Sequence, residues 1–190
     1  MMKSIPNYLT YLRLVLIPIF VFLMVNPSDE MLYAATVIFV IAAITDYLDG
    51  LIARNLDAVT ELGKLLDPLA DKILVISALV MLVAQRSDVD GAPWVPGWMV
   101  ALILAREVWV TGLRGIAANR GVVIAASSGG KVKSALQLIA ISCLLLHYPI
   151  DVLGFNIDFS MVGMNLLILS VAFSLWSAGE YTSEVFSKNP

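Results

Sequence analysis

The stretch TDYLDGLIARNLDAVTELGKLLDPLADK, residues 45–72, decides how the chain is read. It sets Asp46, Asp49, Asp57, Glu61, Asp67 and Asp71 inside a sequence that is otherwise strongly apolar. Residues 46, 49, 50, 53 and 54 are spaced i, i+3, i+4, i+7 and i+8, which on a helix makes one stripe. Residues 63, 67 and 71 are spaced i, i+4 and i+8, a second stripe. If the two helices are antiparallel neighbours, Asp46 falls roughly opposite Asp71 and Asp49 roughly opposite Asp67. Asp57 and Glu61 lie off both stripes and read as solvated loop charges. Taken alone, Asp67-Pro68 also fits a helix cap followed by proline in the first turn.

Outward from this stretch, the composition points to a lipid-embedded chain. Of 190 residues, 59% are hydrophobic and 14% charged. Soluble domains average about 45–50% apolar and about 25% charged. The mean hydropathy is +0.87. The length suits a single domain, residues 1–190. The net charge of −3 excludes little, because the charges are unevenly placed. No basic face for nucleic acid is present. The single cysteine, Cys143, lies in an apolar run, so no disulfide framework exists.

A bilayer core needs about 20 mostly apolar residues per helix. Stretches near residues 5–25, 32–54, 62–85, 97–119, 131–148 and 160–180 meet or approach that length. The expected fold is therefore all-α, with six transmembrane helices. Pro18 falls within the first, where a kink is tolerable. Lys3 precedes this run, but no A-x-A-like cleavage site follows, so it reads as a retained helix.

Charge asymmetry sets the orientation. The stretches 26–31, 86–96 and 149–159 carry Asp29, Glu30, Asp88, Asp90, Asp151 and Asp158, with Arg86 as their cation. The opposite side carries Lys3, Arg54, Lys64, Arg114, Arg120, Lys131, Lys133 and Lys188. Lys and Arg accumulate on the cytoplasmic side. Both termini, and the acidic stretch with them, are expected there.

Four carboxylates gathered at a partly desolvated point repel one another. Divalent cations with hard oxygen ligands, Mg²⁺ or Mn²⁺, resolve that repulsion. Two such ions suit a phosphoryl displacement. Gly50 and Ala53 are small, leaving room for a ligand near the backbone or for close helix packing. Arg54 can meet a phosphate in a bidentate fork. A divalent-cation transporter would also use membrane carboxylates. Transporters, however, tend to repeat their site in both halves of the chain, and no second-half counterpart exists here.

The pattern D-x2-D-G-x2-A-R-x8-G-x3-D-x3-D, here Asp46, Asp49, Gly50, Ala53, Arg54, Gly63, Asp67 and Asp71, resembles the signature of the CDP-alcohol phosphotransferase family. IPNYLTYLRLVLIP (5–18), AREVWVTGLRG (105–115) and GGKVKSALQ (129–137) are similar to its branch that uses a glycerol phosphate acceptor. The resemblance implies transfer of a phosphatidyl group from CDP-diacylglycerol to sn-glycerol 3-phosphate, releasing CMP. It implies two divalent ions, Mg or Mn, on Asp46, Asp49, Asp67 and Asp71, with Asp71 also the general base. It implies that Gly50, Ala53, Arg54 and Gly63 contact the CDP part. It further implies a homodimer in the cytoplasmic membrane, with membrane lipid and the two substrates as partners. Serine, inositol phosphate and phosphatidylglycerol are the rival acceptors within the family.

A glycerol phosphate needs cations. Arg106, Arg114, Lys131 and Lys133 are the candidates. Arg106 lies about two turns, or ~12 Å, deeper than Arg114 on one helix. Glu107 projects about 100° away from Arg106, which makes it a doubtful partner. Lys131 and Lys133 are expected to open the fifth helix, after a flexible Ser127-Ser128-Gly129-Gly130. Asn7, Thr10 and Arg13 either hydrogen-bond the pyrophosphate or serve as caps and snorkelling groups. His147 reads as interfacial, and Trp94, Trp98 and Trp176 as members of interfacial belts.

Overall fold

A computed structural model describes residues 5–56, 61–87, 91–119, 128–152 and 155–187. Side chains are described from Tyr11 onward, apart from those at 46–68, 71, 119, 128–131, 150, 152 and 155. Among the described residues, six helices follow one another: α1 Ile5–Met24, α2 Asp29–Leu56, α3 Glu61–Ala84, α4 Gly97–Asn119, α5 Ser128–Leu146 and α6 Phe159–Ser187. A short antiparallel hairpin, β1 Pro149–Val152 and β2 Phe155–Asp158, links α5 to α6.

The helices coincide with the apolar runs. Their Leu, Ile, Val and Ala content is compatible with helix, and buried apolar runs favour a backbone that satisfies its own hydrogen bonds. The ends are set by polar side chains. Ser28 accepts from the Met31 amide at 3.4 Å, and Asp29 and Glu30 occupy the first turn of α2. Carboxylates there oppose the positive helix end. Asp158 accepts from the Met161 amide at 3.1 Å and so starts α6. The Arg86 guanidinium closes α3, donating to the carbonyls of Val83 at 2.6 Å and Gln85 at 3.1 Å.

Three boundaries differ from expectation. The segment after α5 is not a plain loop, because Ile150 pairs with Ile157 and Asp151 with Asn156 in the hairpin. Pro149 stands at the first position of β1, where a missing N–H does no harm. Second, α5 starts at Ser128, so Gly129 and Gly130 form its first turn rather than a flexible lead-in. Third, Asp67-Pro68 falls inside α3 and not at its start, which removes the cap reading of that pair.

Packing centres on one cluster to which all six helices contribute. Phe20, Phe39, Leu79, Met99, Ile141 and Leu167 are among its buried members. α6 lies along α5, α1 touches α2 and α3, and α4 lies against α6. Gly163 brings α6 onto the α5 backbone: a Cβ there would stand 2.9 Å from the Ala140 carbonyl oxygen. A smaller cluster of Val110, Leu113, Tyr181 and Val185 seals α4 against the end of α6.

Large apolar side chains also cover the outside. Phe22, Val108, Trp98, Met161 and Trp176 are all exposed. Such extensive exposed apolar surface is foreign to a monomer in water. α6, with 29 residues, is long and apolar enough to cross a membrane. The apolar segments Tyr11–Met24, Lys72–Ala84 and Val132–Leu146 are shorter.

At the far end from residues 45–72, Trp94 is buried, unlike the exposed Trp98 and Trp176. Its ring stacks on His147 at 3.6 Å between centroids and 7° between planes. Trp94 is thus an internal packing residue and not part of a belt. His147 takes a left-handed backbone, φ 49°, directly after α5. Its amide reaches the Cys143 carbonyl at 3.3 Å, closing the helix in the manner usual for glycine. Gln85 ties the same end together by donating to the Met24 carbonyl at 2.6 Å.

Candidate active site

The acidic motif lies on the two helices that the spacing requires. Positions 46, 49, 50, 53 and 54 lie on the continuous helical backbone of α2, and positions 63, 67 and 71 on that of α3. The two helices are in contact. The side chains of Asp46, Asp49, Gly50, Ala53, Arg54, Gly63, Asp67 and Asp71 lie outside the described residues, as do those of Asn7, Thr10 and Lys131. Among the described residues no metal-binding group of acidic, His or Cys side chains is present.

The residue after Asp71 opens a polar cluster among the described residues. Consecutive Cα atoms are about 3.8 Å apart, so Lys72 ties this cluster to the last motif aspartate. Lys72 donates to Thr111 Oγ1 at 2.6 Å, and its Nζ lies 3.8 Å from Glu107 Oε2. Thr111 in turn donates to the Glu107 carbonyl at 2.6 Å. Lys133 Nζ, from α5, forms an ion pair with Glu107 Oε1. Arg106 reaches the same oxygen at 2.9 Å. One carboxylate on α4 thereby meets cations from α3, α4 and α5.

Arg106 is held on every side of its guanidinium. Nε donates to the Ser174 main-chain oxygen at 3.1 Å, and one terminal nitrogen to Ser177 Oγ at 3.2 Å. Its side chain is 10% exposed and that of Lys133 is 7% exposed. Charges at that depth are costly unless paired. Glu107 is therefore a partner of Arg106, contrary to the expectation from helical angle. A 100° offset on so narrow a cylinder is spanned by two long side chains, and Lys133 draws the carboxylate inward.

Of the other candidate cations, Arg114 is the one whose side chain is described. Arg114 lies two turns along α4 from Arg106, with its guanidinium carbon 5.6 Å from the Tyr181 ring centroid. Such a placement is a cation–π contact. Arg13 is completely buried in α1, which excludes the snorkelling alternative for it. Trp109 donates to Thr182 Oγ1 at 3.0 Å and adds a polar tie between α4 and α6.

Lys72, Glu107 and Thr111 were not candidates from sequence. A cation directly after a motif aspartate, and a carboxylate buried in a helix beside an arginine, were the available signals.

Residues 3–176 match the family model for CDP-alcohol phosphatidyltransferase. The CDP-diacylglycerol–glycerol-3-phosphate 3-phosphatidyltransferase of Bacillus subtilis (strain 168) is 42% identical over 99% of this chain and 96% of its own length. The protein of the same name from Rickettsia bellii (strain RML369-C) is 44% identical over 76% of each chain. That from Shigella flexneri serotype 5b (strain 8401) is 36% identical over 96% of this chain and 95% of its own.

Proposed function

The chain belongs to the CDP-alcohol phosphatidyltransferase family, and we propose that it transfers the phosphatidyl group of CDP-diacylglycerol to sn-glycerol 3-phosphate. Relatives of that name align with nearly its whole length. The observation that carries the acceptor assignment is that Lys72, the residue after the acidic motif, meets Arg106 and Lys133 at Glu107. Cations so placed fit an acceptor that carries phosphate, and they argue against serine.

In the reaction, an oxygen of the acceptor attacks the phosphorus that bears the diacylglycerol. This is the primary hydroxyl at the end away from the acceptor's phosphate. The bond from that phosphorus to the CMP oxygen breaks, and the electron pair leaves with CMP. Asp71 takes the hydroxyl proton. An alcohol has a pKa far above neutrality, so removing its proton as the new bond forms lowers the barrier. Lys72, Arg106 and Lys133 hold the acceptor phosphate, Arg114 and Lys131 add positive charge around it, and Gly50, Ala53, Arg54, Gly63, Asn7 and Thr10 receive the CDP part. Fixing both reactants in line removes much of the entropic barrier.

The donor set of Asp46, Asp49, Asp67 and Asp71 consists entirely of hard carboxylate oxygens, which fits two Mg²⁺ or Mn²⁺ ions. Bound there, such ions would neutralise charge on the pyrophosphate and on departing CMP.

The site suits a membrane boundary. Exposed apolar side chains on α1, α4 and α6 meet acyl chains, whereas a nucleotide head needs water. Six membrane spans follow from the six apolar runs, and cytoplasmic termini and a cytoplasmic site in the inner membrane follow from the Lys and Arg distribution. A homodimer is part of the reading.

The decisive assay follows CMP release from CDP-diacylglycerol in detergent or vesicles, with and without glycerol 3-phosphate and with Mg²⁺, Mn²⁺ or EDTA. The expected result is CMP release that needs both the acceptor and a divalent ion. Release with inositol phosphate alone would move the chain to another branch, and no release under any condition would end the enzyme reading.

A further inference from the structure

Resting on the acceptor reading above, we infer that Glu107 is the positioning residue of the acceptor's phosphate site. Its carboxylate gathers Lys72, Arg106 and Lys133 into one binding group. The three cations come from three helices and touch a single acid: Lys133 and Arg106 at Oε1, Lys72 near Oε2. Without that acid, three like charges at the meeting of α3, α4 and α5 repel, and the flexible lysines turn toward water.

A phosphate monoester brings two negative charges, and the cations that Glu107 collects are the groups placed to meet them. The cluster is also graded in depth. Arg106 is fixed to Ser174 and Ser177 of α6 and is nearly enclosed, whereas the Lys72 side chain is 35% exposed. A small phosphorylated acceptor thus approaches at the Lys72 edge. Lys72 is also bound to Thr111, which is hydrogen-bonded to the Glu107 main chain. A displacement of Glu107 therefore moves both lysines. In this account Glu107 acts through the cations and does not touch the reacting atoms.

The test uses the full-length enzyme in detergent, with steady-state kinetics in both substrates for Glu107→Gln, Glu107→Asp and Lys72→Gln. Glu107→Gln keeps size and an acceptor oxygen but loses the charge. Its KM for glycerol 3-phosphate is expected to rise about tenfold while the KM for CDP-diacylglycerol stays within about twofold. Glu107→Asp, which retains the charge, should recover part of the loss. Lys72→Gln alters a half-exposed side chain and is expected to raise the acceptor KM alone. It decides the matter if Glu107→Gln fails to fold. An unchanged acceptor KM in the folded variants, or an equal rise for both substrates, overturns the inference. Wild-type enzyme that releases no CMP with glycerol 3-phosphate would instead strike the acceptor reading itself.

Discussion

Arg106 of α4 donates its Nε to the main-chain oxygen of Ser174 on α6 at 3.1 Å, so a nearly enclosed cation of the site is clamped by a helix outside the acidic motif. The same guanidinium reaches Ser177 and Glu107 with its other nitrogens. Only a planar fork spans three acceptors in fixed directions. Arg106→Lys keeps the charge and loses this geometry. The expected outcome is an acceptor KM raised about tenfold with the donor KM little changed. Initial-rate kinetics with each substrate varied in turn provide the measurement, and a normal acceptor KM would remove Arg106 from the phosphate site.

Asp71→Asn separates the chemical step from binding. The amide is close in size but cannot accept the acceptor's proton. Turnover is expected to fall by about 100- to 10,000-fold. CDP-diacylglycerol should still bind, as followed by equilibrium binding of the labelled lipid in Mg²⁺. Near-normal turnover would deny Asp71 the role of base.

The helices were legible because each is an apolar run bounded by polar or proline-bearing segments. The motif was legible because eight residues keep fixed spacing along two of those helices. Glu107 was not, since its significance depends on Lys72 and Lys133 arriving from two other helices, which no local periodicity reports. The burial of Trp94 is hidden from the sequence for a related reason. Composition gives aromatic residues near a membrane end the same weight, and only tertiary structure sets one of them against His147. The hairpin is not legible because two four-residue strands carry too short an alternation to stand apart from a loop.

The two substrates should respond differently to acid. A phosphate monoester becomes a dianion above about pH 6, whereas each phosphate of the donor's pyrophosphate diester already carries its charge well below that. If the Glu107 cluster selects the dianion, the acceptor KM should rise about tenfold between pH 7 and pH 5, because the dianion fraction falls by that factor. The donor KM should stay nearly flat. Ionisation of the catalytic base would enter kcat for both substrates alike. Parallel changes in the two KM values would show that the phosphate's charge is not what the site reads.

His147 provides a control far from the chemistry. It packs face to face on Trp94 and edge-on to Tyr148 at 5.3 Å. His147→Ala removes the stack and leaves alanine in a left-handed backbone. A loss of about 1 kcal/mol or more is expected from the ring contact. It should appear as a lower Tm in detergent, with kcat and both KM values within about twofold of wild type. A large fall in kcat without a change in Tm would give the histidine a part in catalysis after all.

Gly163 tests whether the α5–α6 contact holds the site together. A Cβ added there would stand 2.8 Å from Leu144 Cγ and 2.9 Å from both the Ala140 oxygen and the Leu144 nitrogen. Two of these neighbours are backbone atoms, so a rotamer change cannot relieve the clash and the helices must part. Overpacking of this kind costs about 1–3 kcal/mol. Ser174 and Ser177 lie about three and four turns further along α6, so parting the helices also shifts the carbonyl and hydroxyl that hold Arg106. Gly163→Ala should therefore lower the Tm in detergent and raise the acceptor KM together. Gly163→Leu should do both more strongly. If the Tm falls while the acceptor KM is unchanged, α6 supports Arg106 without help from its packing on α5, and the two contacts are energetically independent.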